Sequence, residues 1–115
     1  MTENIYWTIV ATVNEGKLDD LKAVVKKTSA ATRTETGALS YDFWLSEDNK
    51  RLFLHERYTN SEAVLAHMAN VGPLLPDFFA CVEMEPIVVL GDCTDALKEG
   101  FAAFGVLHVN FLAGL

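Results

Sequence analysis

Apolar residues occupy both sides of the first predicted strand, IYWTIVATV, over residues 5–13. Its β-branched and aromatic residues favour extended backbone, and Asn14-Glu15-Gly16 supplies a turn after it. From Leu18 onward, apolar residues recur at helical spacing. We expect this long amphipathic helix to end at Gly37, because glycine commonly terminates helices at their carboxyl end.

Two strand-like runs, residues 38–45 and 51–58, flank the polar stretch SEDNK. Turn-forming residues between two such runs predict an antiparallel hairpin. Thr59 and Glu62 have the spacing of a helix-capping pair, and the helix that follows is predicted to end at Gly72-Pro73. Its inward stripe recurs every three or four residues and comprises Val64, His67, Met68 and Val71.

The remaining core elements are one helical turn over residues 77–82, after Pro76, and a strand over residues 84–90. The resulting order βαββαβ predicts an α+β, ferredoxin-like fold with helices on one face of a four-stranded antiparallel sheet. We expect a single domain over residues 1–115, with its core at about residues 5–91.

Residues 92–115 form a C-terminal segment beyond this core. The segment holds a possible helix, TDALKEG, followed by the apolar run FAAFGVLHVNFLAGL. Because such a run is too apolar to remain in solvent, we expect it either to add a strand or to pack on a partner.

The second face of the predicted sheet points to a homodimer. Half of the 115 residues are hydrophobic, and the first strand is apolar on both sides. A sheet with helices on one face only would leave the other apolar face in water. The simplest cover is the same face of a second copy.

Charge and cysteine content narrow the possible partners. The formal net charge is −7, from 16 acidic and 9 basic residues, and the basic residues are scattered rather than clustered. Nucleic-acid binding is therefore poorly supported. The amino terminus carries an acid, and no apolar run approaches the roughly 20 residues that span a bilayer. With two cysteines that we interpret as reduced, the sequence favours a cytoplasmic protein.

Three short motifs follow one another at characteristic spacing. Residues 37–43 read GALSYDF, residues 53–58 read FLHERY, and Ser61-Glu62-Ala63 precede His67. Together with the opening strand and Gly16, they make the chain resemble the antibiotic biosynthesis monooxygenase family of the dimeric α/β-barrel superfamily, over roughly residues 5–91. The resemblance implies a dimer whose sheets close into a shared barrel, with a substrate cavity in each subunit.

The resemblance also implies a reaction. Active members of the family oxidise quinols or polycyclic phenols with molecular oxygen and use no metal, flavin or haem cofactor. An electron-rich phenolate can pass an electron to oxygen directly, so the protein has to supply a dry pocket, orientation and groups that stabilise the phenolate. Candidate residues are therefore hydrogen-bonding side chains in an apolar cavity.

His67 is the candidate catalytic residue, because helical spacing turns it toward the sheet. There it either holds or deprotonates a phenol, since its ordinary pKa lies near neutrality, or it is a buried histidine hydrogen-bonded to a neighbouring strand. Glu56 and Tyr58 share one strand face, away from His55. A carboxylate in an apolar strand needs a partner, so Glu56 pairs with a base across a dimer interface, accepts from a tyrosine, or acts as a pocket acid.

Aromatic residues are the other candidate substrate contacts. Tyr41 and Phe43 point to one side of their strand and Trp44 to the other, so one set can line a cavity while the other packs at a dimer interface. Phe78 is expected either to close the cavity or to pack in the core. The predicted substrate-binding residues are thus Tyr41, Phe43, Trp44, Glu56, Tyr58 and Phe78.

Metal and haem chemistry are less well supported. The three histidines form no closely spaced pair, so a site with three or four converging ligands is not expected. Relatives that degrade haem combine an asparagine in the first strand, a tryptophan ending the third and a histidine late in the second helical region. The third strand here ends in Tyr58, and Phe79-Ala80 occupies the last of these places.

The leading hypothesis is a cofactor-independent monooxygenase for a quinol or polycyclic phenol. A non-catalytic dimer that binds a small apolar molecule needs the same cavity but no base. An isomerase or decarboxylase of the same superfamily is the third alternative, because the fold does not choose among these activities.

Overall fold

The computed structural model describes residues 2–115 of the chain, and within them the backbone forms six strands, four α-helices and two single turns of 3-10 helix. The strands are β1 Ile5–Val13, β2 Ala38–Leu45, β3 Arg51–Tyr58, β4 Val82–Met84, β5 Val88–Leu90 and β6 Leu107–Val109. The helices are α1 Leu18–Thr32, α2 Ser61–Val71, α3 Leu75–Cys81 and α4 Asp95–Phe101, with 3-10 turns at Gly72–Leu74 and Ala102–Phe104.

All six strands join one sheet in the order β2-β3-β1-β5-β6, and β4 also pairs with β1. The antiparallel β2–β3 hairpin and the antiparallel pairing of β1 with β3 agree with the predicted βαββαβ core. The α+β, ferredoxin-like fold class is therefore confirmed. The sheet is larger than the four antiparallel strands predicted, because β6 is added parallel to β5 at the edge.

The last core strand is split in two. A single strand over residues 84–90 was expected, whereas β4 pairs with the end of β1 and β5 pairs with its beginning at Tyr6. Pro86 lies in the gap between β4 and β5. Because proline has no N–H to donate to a sheet ladder, the break falls where the sequence cannot support continuous pairing.

Helix α1 ends at Thr32 and not at Gly37, so the predicted glycine terminator is wrong. Hydrogen bonds of tight turns follow the helix, from the Thr34 amide to Ala31 O and from the Glu35 amide to Thr32 O. Gly37 is needed for a different reason. A Cβ atom there would lie 2.5 Å from the Cβ of Ala63, so its missing side chain lets α2 approach the start of β2.

Capping residues place the other helices. Asn60, and not Thr59 of the predicted capping pair, caps α2 by accepting from the Ala63 amide at 2.9 Å. Pro76 lies in the first turn of α3 and not before it, because the amides of a first helical turn need no partner within the helix. The helical turn expected over residues 77–82 therefore begins earlier, at Leu75, and ends at Cys81.

The C-terminal segment folds onto the sheet. Thr94 caps α4 by accepting from the Leu97 amide, which confirms the helix predicted in TDALKEG. Of the two alternatives for the apolar run, the structure shows the added strand, β6.

The helices cover one sheet face with two apolar clusters. One cluster gathers near the start of β1 and the other near its end; the first contains Ile5, Trp7, Tyr58, Val64, Val89, Leu97 and Phe101, and the second Ala11, Leu21, Val24, Leu52, Phe78, Cys81 and Val82. The opposite face carries a row of more exposed residues. On it, the guanidinium groups of Arg51 and Arg57 lie over the rings of Phe53 and Tyr6 at 5.3 and 4.9 Å.

Candidate functional site

Three buried polar side chains meet between β3 and α2. Strand alternation directs Glu56 and Tyr58 toward the helices, and the inward stripe of α2 carries His67. Glu56 is 3% exposed, His67 is 4% exposed and Tyr58 is fully buried. Buried polar groups require partners, so the contacts among them decide what this cluster can do.

His67 lies between two carboxylates. Its Nδ1 is 3.0 Å from both oxygens of Glu35, and its Nε2 is 3.4 Å from Oε1 of Glu56. Asn70 donates to Glu35 Oε2 at 2.8 Å and to the Ala31 carbonyl at 2.9 Å, which fixes the Glu35 carboxylate against α1. Tyr58 donates its hydroxyl to Glu56 Oε1 at 2.7 Å.

These contacts favour the charged form of His67. Burial by itself lowers the pKa of His67, but the hydrogen bond and charge of Glu56, together with those of Glu35, outweigh it and raise the pKa above its ordinary value. A neutral imidazole would point one lone pair at a carboxylate, whereas the imidazolium donates to both. The two carboxylates therefore stabilise the charged form of His67.

The two nearby tyrosines are held in their protonated form. Burial, followed by the charge of Glu56, raises the pKa of Tyr58 far above its ordinary value. Burial and then Glu56 also raise the pKa of Tyr41, against the opposing effect of hydrogen bonds from Thr28 and Thr32. Both phenols are hydrogen-bond donors at neutral pH and not bases.

An apolar cavity of about 70 Å³ adjoins the centre, between the two core clusters. Glu56 and His67 are the ionisable residues of its wall. The rest of the wall is apolar and consists of Trp7, Ile9, Met68, Val71, Leu75, Phe79, Met84, Ile87, Phe101 and Phe104. An ionisable pair at the edge of an apolar, aromatic cavity is an arrangement that can move a proton to or from an apolar ligand.

The structure groups the predicted aromatic contacts in two places. Tyr41 lies on the helix side, 5.2 Å from His67 between ring centroids, and Phe43 packs on Tyr41 at 5.1 Å. Phe78 is buried against Phe43 at 6.4 Å, in the core beside the cavity and not in its wall. Trp44 is 63% exposed on the opposite sheet face, so it does not reach His67.

Sequence reasoning missed Glu35 and Asn70. Asn70 follows His67 by three residues, which is helical spacing and was a usable signal. Glu35 gave no such signal, because the predicted helix included Glu35 and continued to Gly37. Trp7 stacks on Tyr58 with ring centroids 5.3 Å apart. Trp7 also belongs to the cavity wall.

Residues 2–115 contain no cluster of three or more histidine, cysteine or acidic side chains placed to bind a metal ion. Over the same residues, every helix is too short or too polar to cross a membrane.

A family model described as antibiotic biosynthesis monooxygenase matches residues 5–83. The chain belongs to the antibiotic biosynthesis monooxygenase family. Glu35, Glu56 and His67 all lie within the matched residues of this family member, whereas Phe101 and Phe104 lie beyond them.

Solved structures resemble this family member across most of its length. MupZ from Pseudomonas fluorescens is 20% identical with a TM-score of 0.88, and the match covers 100% of this chain and 90% of MupZ. SnoaB from Streptomyces nogalater, described as a cofactor-independent oxygenase, is 16% identical with a TM-score of 0.67, over 81% of this chain and 96% of SnoaB.

A third structure, from Bacteroides thetaiotaomicron, is described as a conserved protein of unknown function and possible oxidoreductase. It is 21% identical with a TM-score of 0.68, over 77% of this chain and 97% of its own. At these identities the structures establish the shared fold. No curated protein sequence is significantly similar to the chain.

Proposed function

We propose that this family member is a cofactor-independent monooxygenase that oxidises a quinol or polycyclic phenol with molecular oxygen. The observation that carries the proposal is the cavity whose apolar wall is interrupted by the ionisable pair Glu56 and His67. Family membership and the fold shared with SnoaB, a cofactor-independent oxygenase, support the same reaction class.

Glu56 is the base in this proposal. Its contacts with Tyr58 and His67 both engage Oε1, which leaves Oε2 to accept the phenolic proton of a substrate in the cavity. His67 keeps its proton, because the pKa of the imidazole is raised. It therefore acts as a charged hydrogen-bond partner that holds Glu56 in place and stabilises the phenolate.

Oxygen then reacts with the bound phenolate. The phenolate gives one electron to molecular oxygen, and the phenoxyl radical and superoxide combine at an unsubstituted ring carbon. Breaking the O–O bond leaves one oxygen on the ring as a quinone carbonyl, while the other leaves as water with the proton held by Glu56 and the hydrogen from that carbon. The aromatic wall excludes water and so keeps reactive intermediates from hydrolysis.

One rival function has a specific observation in its favour. His67 is an acid and Glu56 a base, and both lie in the wall of the same cavity. Such a pair suits an isomerisation by proton transfer, with no oxygen consumed. A non-catalytic binding protein needs neither group in its cavity wall, so this pair does not favour that function.

Oxygen uptake distinguishes the three functions. The protein, dialysed against a metal chelator, is mixed with a panel of hydroquinones and naphthols in an oxygen electrode, and products are identified by mass spectrometry with and without oxygen. The proposal predicts consumption of one oxygen molecule per quinone formed and no product under nitrogen. Product formed equally under nitrogen indicates isomerisation, and ligand-induced stabilisation without turnover indicates a binding protein.

A homodimer through the open sheet face is part of the proposal. That face presents Trp44, which is 63% exposed, next to the partly buried Tyr6 and Phe53. An apolar sheet face of this kind is normally covered, and a second copy supplies a matching surface. The free thiols of Cys81 and Cys93 are compatible with the predicted cytoplasmic location.

A further inference from the structure

The C-terminal segment completes the cavity wall. Residues 92–115 lie outside the family match at residues 5–83, yet they contribute Phe101 and Phe104 to the wall. Phe101 is 6% exposed and sits edge-on to Trp7, with ring centroids 5.4 Å apart. Phe104 is 40% exposed and faces Phe79 at 6.0 Å. Phe101 is thus a fixed inner wall, whereas Phe104 stands at the boundary with solvent.

Packing fixes α4 over the cavity. Gly100 faces α2, where a Cβ atom would lie 3.2 Å from Leu65 Cδ2 and 3.8 Å from the end of Met68. The Thr94 amide donates to Ser61 at the start of α2 at 3.1 Å, which ties the beginning of α4 to the same helix. The 3-10 turn that carries Phe104 follows α4 directly and ends at Gly105, whose φ is 62°. The aromatic ring of Phe104 is therefore held by a short turn anchored on α2.

The volume of the cavity limits the size of the ligand that it can hold. The cavity measures about 70 Å³, whereas an apolar cavity known to bind benzene measures about 150 Å³. Movement of part of the wall would enlarge this space, and Phe104 is the wall residue that is both aromatic and substantially exposed. Turning its ring toward solvent makes room for a single-ring ligand, while a larger ring system would also need the space into which the ring has turned.

We propose that Phe104 of the C-terminal segment is the specificity-determining residue of this site and restricts it to single-ring phenols and quinols. This inference rests on the proposed function for the nature of the substrate. It narrows the substrate class from quinols and polycyclic phenols in general to the smaller members.

Binding without turnover tests the inference apart from the reaction. Affinities of phenol and of a phenanthrol are measured by isothermal titration calorimetry under nitrogen, for the wild type and for Phe104→Ala. The ratio of phenanthrol to phenol affinity should rise at least about tenfold in the variant, which is the size of effect expected when a pocket gains or loses a few carbon atoms. Phe104→Leu should give a smaller rise and is the second variant if the alanine substitution impairs folding.

Phe111→Ala is the matched control. Phe111 belongs to the same segment and is 52% exposed, but it does not line the cavity. Its substitution should leave the affinity ratio unchanged. An equal ratio in the wild type and both Phe104 variants, or the same rise in Phe111→Ala, overturns the inference, as does a failure of every variant to bind either probe.

The two proposals fail separately. If the affinity ratio rises as expected but no phenol is oxidised in air, the size restriction stands and the oxygenase reaction falls. If hydroquinone is oxidised but Phe104→Ala leaves the size preference unchanged, the reaction stands and the role of Phe104 falls.

Discussion

His67 Nδ1 lies 3.0 Å from both carboxylate oxygens of Glu35, a residue 32 positions earlier in the chain. The contact joins the inward face of α2 to the turn that follows α1. With Glu56 at the other ring nitrogen, it places the imidazole between two buried carboxylates. The charge state of the centre thus depends on a residue outside the cavity wall.

Removing the charge of Glu35 should lower the pKa of His67. Glu35→Gln keeps the shape of the side chain but removes one of the two anions that favour the imidazolium. Titration of the His67 Cε1–H signal by NMR should show a midpoint above about 6.5 in the wild type, and a lower midpoint in the variant. Glu62→Gln, at an exposed position in the first turn of α2, is the control and should leave the midpoint in place. Equal midpoints in the wild type and Glu35→Gln would mean that Glu35 does not set the charge of His67.

The raised pKa of His67 also makes stability depend on pH. Because the folded-state value lies above the unfolded one, the contribution is complete below about pH 6.5, and is lost as the pH rises through the folded-state pKa. Urea unfolding at a series of pH values should show the free energy of unfolding falling over that window. The window should be absent in His67→Ala, which lacks the titrating group.

His67→Ala should destabilise the fold by about 3–5 kcal/mol, because it leaves two buried carboxylates without their shared cation. Urea unfolding at neutral pH measures the loss. Adding Glu35→Gln to His67→Ala should cost less than Glu35→Gln costs in the wild type, since an unpaired charge is then removed. Strict additivity of the two substitutions would refute the coupling.

Gly37→Ala should destabilise the protein by about 1–3 kcal/mol, because the new methyl group would overlap Ala63 of α2. Gly72→Ala is the matched control, since a Cβ atom there meets nothing within 4 Å and its φ is −45°. This control should be neutral or stabilising by up to about 1 kcal/mol. Thermal unfolding of both variants measures the difference, and equal effects would argue against the close approach of α2 to β2.

Trp44→Glu should weaken the proposed homodimer, because it puts a charge in place of a large exposed apolar side chain on the open sheet face. Light scattering at micromolar concentration should give the mass of a dimer for the wild type and of a monomer for the variant. Ala30→Glu adds the same charge at an exposed position of α1 and should remain dimeric. A monomeric wild type at this concentration would refute the dimer.

The periodicity of the sequence predicted much of the site. Period-two alternation in β3 put Glu56 and Tyr58 on one side, and the spacing of the apolar stripe in α2 turned His67 toward them. The same reasoning separated Trp44 from Tyr41 and Phe43. These relationships depend only on backbone geometry within one element, which is why the sequence could supply them.

The sequence could not predict how residues far apart in the chain are placed relative to one another. The contact of Glu35 with His67 depends on α1 ending at Thr32, and a helix continued to Gly37 would have directed Glu35 elsewhere. In the sequence, Gly37 looks like a helix terminator. In the structure, its role is steric. The position of β6, parallel to β5, was likewise undetermined, because an apolar run does not specify its partner strand.

The initial rate of oxygen uptake by Glu56→Gln, with the best hydroquinone of the panel, tests the central claim most directly. Glutamine preserves an acceptor for the Tyr58 hydroxyl but cannot take a proton, so the rate should fall roughly 100- to 10,000-fold. Glu62→Gln should retain the wild-type rate. A Glu56→Gln protein that is folded and consumes oxygen as fast as the wild type would contradict the account.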